Sequence, residues 1–156
     1  MGEDIKRNFR VDFDRQVKVE FHGANITSDG GLLLYRELDD VLELTAKGGE
    51  QLTEKRPGKN TTLSLLEQFR QSVFSRLAGY EDTNDAERLR IDPAMKKVTK
   101  EKRSDRAGAS TSQMGRFETK LLTLASNLAS LTDMSGHWID RVNDQCRRTW
   151  KFRHYL

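Results

Sequence analysis

Between Leu63 and Ala78 the chain reads LSLLEQFRQSVFSRLA, in which Leu66, Phe69, Val73 and Leu77 recur at spacings of three and four. That period places them on one stripe of an α-helix, with Gln68, Gln71, Ser72 and Ser75 opposite. It is the clearest helical signal in the sequence. Thr61 or Thr62 can cap its start, and Gly79 is positioned to end it. Such a helix needs partners over its apolar stripe, and the flanking sequence supplies mostly further helices.

Upstream, RQVKVEFH over 15–22 alternates Val17, Val19 and Phe21 with polar groups, the period of a half-buried strand that Gly23 should end. A helix is expected over 29–43, with Leu34, Leu38 and Val41 as its apolar stripe and Asp29 in the first turn. AKGGEQLTEKRPGKN over 46–60 lacks an apolar period and reads as a mobile loop. Downstream, Thr83 or Asn84 can cap a short helix DAERLR. Asp92 followed by Pro93 gives an N-cap with proline at the first helical position of PAMKKV. After a basic loop over 99–109, Ser110 or Thr111 can cap a helix whose stripe is Phe117, Leu121, Leu124, Leu128 and Leu131; a last short helix is expected over MSGHWIDRV. The expected organisation is a flexible 1–14, a helical region over 15–142 and a basic tail over 143–156. The fold class is mainly α with a short N-terminal strand or hairpin.

Composition excludes several chemistries. The longest aliphatic run is Leu32 to Leu34, so no membrane span or secretory segment is present and a cytoplasmic location is expected. One cysteine, Cys146, excludes an internal disulfide, and His22, His137 and His154 show no ligand spacing. Net charge is only +3, but it is concentrated: residues 96–106 hold six Lys/Arg against two acids, and 141–154 hold five against one.

Three stretches invite a functional reading. Glu81, Asp82, Asp85, Glu87 and Asp92 are hard oxygen donors of the kind Mg²⁺ prefers, yet they are local, interrupted by Arg88 and Arg90, and sit at helix starts; capping and solvation account for them better. The SDGG step at 28–31 offers backbone amides to an anion, but Asp29 already supplies the negative charge there. In STSQMGR, the polar tips of Ser112, Gln113 and Arg116 crowd the first turns of an amphipathic helix behind a basic loop, as in helices that read base edges and phosphates. Lys96, Lys97, Lys100, Lys102 and Arg103 form a candidate phosphate track; a solvated helix face is the competing explanation. Trp138 reads as a core anchor rather than a stacking platform.

Taken in order, ITSDGGLLLYRELDD, LLEQFRQSVFSRLAGYEDTNDAERLRIDPAM, ASTSQMGRFE and SGHWIDRV resemble the amino-terminal region of bacterial insertion-sequence transposases of the DDE type, in the group 1 branch, from about Val17 to Val142. The resemblance implies a parent enzyme of several hundred residues that binds the terminal inverted repeats of its element and cuts and joins DNA. It implies an RNase H-like core in which three carboxylates hold two Mg²⁺ ions. The first catalytic aspartate of such proteins lies on an apolar strand just after the helix matching HWIDRV. Here NDQCRRTWKFRHYL follows Val142, so the catalytic sheet is expected to be absent, with a frameshift or early stop as the expected origin. No catalytic or metal-binding residue carries over, Asp140 included, and no cofactor is expected in this chain. The expected partners are the insertion-sequence ends and full-length transposase or a second copy, paired through the 117–131 stripe. A relic without function is the remaining alternative.

Overall fold

The computed structural model describes residues 9–14, 18–19, 29–54, 63–101 and 106–153, with backbone alone at 9–10, 18–19 and 148–153. It is mainly helical. Strands β1 (Phe9–Arg10) and β2 (Lys18–Val19) pair antiparallel, Phe9 opposite Val19. Only β2 falls within the strand expected over 15–22; the remainder of that stretch, with Gly23 and Ser28, lies outside the described residues. Val11 is fully buried and Asp14 nearly so, while residues 1–8 of the expected flexible segment lie outside the described residues.

Helices follow in the order α1 (Leu32–Leu42), α2 (Leu44–Gln51), α3 (Leu65–Leu77), α4 (Ala86–Leu89), α5 (Pro93–Thr99), α6 (Thr111–Arg116) and α7 (Ala125–Arg153), with a π-helical turn over Phe117–Leu121. The organising fact is that α3 is covered on both sides. Phe69 belongs to a core with Leu52, Leu63, Met114 and Phe117, while Phe74 belongs to a second with Val11, Leu33, Met95 and Val98. Gln68, Gln71, Ser72 and Ser75, opposite the expected apolar stripe, are therefore buried as well, and Leu77, a member of that stripe, is half exposed. The helix starts at a Ser64–Glu67 capping box, two residues beyond the nearer of the expected threonine caps.

α1 is rotated relative to its apolar period. Leu34, Leu38 and Val41 are more than half exposed, whereas Leu32, Leu33, Arg36 and Asp39 are buried. A hydrogen-bonded network drives the inversion. Asp39 accepts from Thr45 N at 2.8 Å and from the Thr45 hydroxyl; Thr45 Oγ1 in turn accepts from Arg70 Nε at 3.0 Å. Arg36 pairs with Asp39 and Asp40, and burial, aided by the Arg36 charge, pushes the Arg70 guanidinium below its usual range. The network joins α1, α2 and α3 and balances two cations with two carboxylates, which is what a buried polar cluster requires.

The segment expected to be a loop at 46–60 is helical up to Gln51; residues 55–60 lie outside the described residues. Its glycines weaken the apolar period and yet are what let the helix pack. A Cβ on Gly48 would stand 2.5 Å from Phe69 Cε1 and 2.9 Å from Met134 Sδ, so the missing side chain is what lets α2 lie between α3 and α7. Glu43, at φ 56°, turns the chain sharply between α1 and α2.

The helix expected from Thr111 onward breaks instead. Leu122 N bonds to Phe117 O, and the Thr119 and Thr123 hydroxyls donate to carbonyls four residues back, both of which loosen the α-helical ladder. The short helix expected over 134–142 and residues 143–153 of the expected tail are parts of α7; residues 154–156 lie outside the described residues.

Candidate nucleic-acid interface

The first turn of α6 is assembled from behind. Gln71, buried on α3, donates from Nε2 to Ala109 O at 2.9 Å and accepts from Ala109 N at 2.7 Å, pairing with that residue as a strand would. Gly108 N donates to Arg90 O at 2.8 Å, and a Cβ on Gly108 would stand 2.8 Å from Gln71 Oε1, so this approach is closed to larger residues. Arg106 pairs with buried Glu67 at 2.9 Å. On the far side of α6, Glu118 accepts from Ser72 Oγ and Arg76 Nη1, both at 2.9 Å, and that bond raises the Arg76 pKa above its usual value. Glu87 accepts from Thr111 N at 3.2 Å and pairs with Arg90; the arginine first, then the amide, holds its carboxyl below the ordinary range. Gln71 and Ser72, two of the polar residues opposite the apolar stripe of α3, thus hold the segments on either side of α6.

Ser110 and Gln113 form a capping box: Gln113 N donates to Ser110 Oγ, while Gln113 Oε1 accepts from Ser110 N at 2.9 Å. The Gln113 carboxamide oxygen is therefore committed to its own helix. Ser112 and Arg116 are exposed one turn apart, with Arg116 Nε on the Ser112 carbonyl at 3.2 Å. On α5, Lys96 is half-buried and Lys97, exposed, reaches buried Asp14 at 3.4 Å. Lys100 is buried, with Nζ donating to Ala107 O at 3.3 Å and its pKa lowered by that burial. It ties the end of α5 to the segment entering α6. Lys102 and Arg103 lie outside the described residues.

The acidic stretch over 79–95 disperses as its capping logic requires. Asp92 Oδ1 accepts from Met95 N at 2.8 Å ahead of Pro93, and Asp82 accepts from Asn84 N and Nδ2. Asp85, not Asn84 or Thr83, is the residue before α4, and it makes no side-chain cap bond. Among the described residues no three His, Cys, Asp or Glu side chains converge on a point where a metal ion could sit.

Trp138, on α7, is partly buried beside a groove of about 510 Å³ lined by Lys47, Gln51, His137 and Arg141 among others; its indole N–H is buried without a hydrogen-bond partner. Two residues that hold the architecture escaped the sequence reading, Gln71 and Asn127, because polar side chains in helices carry no periodic signal of burial.

Comparison with known protein families matches residues 9–151 to the model described as transposase DDE domain group 1. No curated protein and no solved structure matches the chain. The two-metal chemistry of DDE transposases needs three converging carboxylates, and the described residues do not fit it: Asp39, Glu67, Asp92 and Glu118 are each engaged with different elements. Nor is any described helix long and apolar enough to cross a membrane. A match spanning nearly the whole chain settles the family, and the protein belongs to the group 1 DDE transposases.

Proposed function

We propose that this chain acts in transposition as a DNA-binding unit, engaging the terminal inverted repeats of an insertion sequence through α6. Ser112 and Arg116 contact base edges and phosphates. Lys96, Lys97, Lys102 and Arg103 contact the backbone. Gln113, through the capping box, and Lys100, through Ala107, hold α6 and α5 in register, in addition to any contact they make with DNA. One observation carries the reading: α6 is held at both ends, by Gln71 on Ala109 just ahead of it, by Glu87 on Thr111 N and by Glu118 just after it on Ser72 and Arg76, yet leaves Ser112 and Arg116 exposed. Side chains that read DNA need that rigidity, because a loosely held helix loses the orientation on which base discrimination rests. Mg²⁺ belongs, on this reading, to the catalytic chemistry of the family.

The test uses duplexes taken from the DNA flanking the reading frame, with a random duplex as control. The chain should prefer the flanking DNA, and the S112A/R116A pair should reduce that preference by about tenfold or more, on the order of 1–3 kcal/mol for a good base contact. Equal binding of flanking and random DNA by the unaltered chain overturns the proposal.

A second reading, pairing with full-length transposase, draws on a different surface from the one periodicity suggested. Of the 117–131 stripe, Phe117 and Leu121 are buried in the chain's own core and Leu128 alone is half exposed, whereas Leu34, Tyr35, Leu38 and Val41 together expose an apolar face of α1. Co-expression with a full-length transposase separates the readings: L38E should abolish a complex formed without DNA, and no complex at all removes pairing.

A further inference from the structure

A glycine inside a helix weakens it, so the packed chain should show what the missing side chain is for. In α2 it does: a Cβ on Gly48 would overlap the Phe69 ring, and one on Gly49 would stand 2.9 Å from Leu66 Cδ1. Gly115, the fifth of six residues in α6, has no such reason, because a Cβ there meets nothing within 4 Å. The chain's own packing does not call for this glycine.

The surface around it is open and tied along its length by hydrogen bonds four residues long. Arg116 Nε donates to Ser112 O at 3.2 Å, Thr119 Oγ1 to Gly115 O at 2.7 Å and Thr123 Oγ1 to Thr119 O at 2.7 Å. Ser112, Arg116, Thr119, Lys120 and Thr123 are all exposed, so the surface that begins on α6 continues through the π-helical turn. Two cations stand on it, Arg116 and Lys120. Glu118, the one acid between Thr111 and Thr123, is held on α3 by Ser72 and Arg76, while Glu87 is held by Arg90 and the Thr111 amide. A partner that comes close enough to require a glycine therefore meets hydroxyls and cations, which suits a sugar–phosphate backbone. Gly136 in α7 is equally open, but exposed Asp133 and Asp140 stand one turn to either side of it and would repel a phosphate.

We propose, on the reading of the chain as a DNA-binding unit, that Gly115 is where the DNA backbone comes closest to the protein, and that Lys120, beyond the end of α6, holds a phosphate there. A methyl group at position 115 keeps that phosphate from seating beside Arg116 and Lys120.

The experiment compares G115A and G136A in the full chain, by thermal unfolding and by binding to the flanking and random duplexes. Both variants should unfold at a higher temperature than the unaltered chain. G136A should bind DNA as the unaltered chain does. G115A should bind both duplexes more weakly, by about five- to hundredfold, the effect of a methyl group forced into a packed contact. A more stable chain that binds less is not a damaged fold. Binding of G115A at the unaltered strength overturns the inference, and so does a lower unfolding temperature, which would mean that the chain itself fills the space beside Gly115. K120Q supplies a second measurement: the slope of log affinity against log salt should fall by about 0.9, and an unchanged slope overturns the phosphate contact. The base-reading role of Ser112 and Arg116 fails separately, when the unaltered chain binds flanking and random DNA equally; weaker binding of G115A to both duplexes would stand even then.

Discussion

Asn127 and Thr53, 74 residues apart, are joined by three hydrogen bonds: Thr53 N and Oγ1 donate to Asn127 Oδ1 at 2.9 and 3.0 Å, and Asn127 Nδ2 donates to Thr53 O at 3.1 Å. The same amide nitrogen donates to Leu121 O at 2.9 Å, and Asn127 has no exposed surface. One side chain thus satisfies the backbone leaving α2, closes the π-helical turn and fixes the first turn of α7.

Asn127→Ala should therefore cost about 2–4 kcal/mol, because it leaves buried backbone groups without partners as well as removing the bonds themselves. Asn127→Asp should cost at least as much at neutral pH, since a carboxylate cannot donate to either carbonyl. Urea denaturation measures both, and a loss under 1 kcal/mol for the alanine variant would refute the clamp.

Glycines in two helices should respond to alanine with opposite signs. At Gly136, in α7, a Cβ meets nothing within 4 Å, so alanine should stabilise by about 0.5–1 kcal/mol through helix propensity and the unfolded chain's lost freedom. At Gly48 the same gain is outweighed by overlap with the Phe69 ring, and a net loss of about 1–3 kcal/mol is expected. Thermal unfolding of the two single variants decides it; equal shifts would mean that α2 does not pack as described.

Glu87 should make stability depend on pH in the acidic range. Its carboxyl lies below the ordinary 4.5 because Arg90 and the Thr111 amide favour the charged form. Between the folded and unfolded values the unfolded chain binds the extra proton, so this contribution is complete above the ordinary value and is lost as pH falls through the lowered one. The stability difference between the unaltered chain and Glu87→Gln should shrink as pH falls below the ordinary value of 4.5. A difference that grows on acidification would contradict the assignment.

Much of the chain's local order was legible in its residues. Helices at Leu65–Leu77 and Pro93–Thr99, the Asp92 cap ahead of Pro93 and the Ser110 cap all follow from periodicity and from hydrogen bonds that close within four residues. The family resemblance was legible too, through four motifs in order. Which face each helix buries was not. Leu34, Leu38 and Val41 make a proper apolar stripe, yet α1 turns it outward so that Asp39 can meet Thr45 and, through it, Arg70. Gln71 looks like a surface residue until Ala109, 38 positions away, is found across from it. Short-range spacing fixes where a helix starts and stops because caps are local. Burial of its polar side chains is decided by partners distant in sequence, and only the packed chain brings those donors and acceptors together.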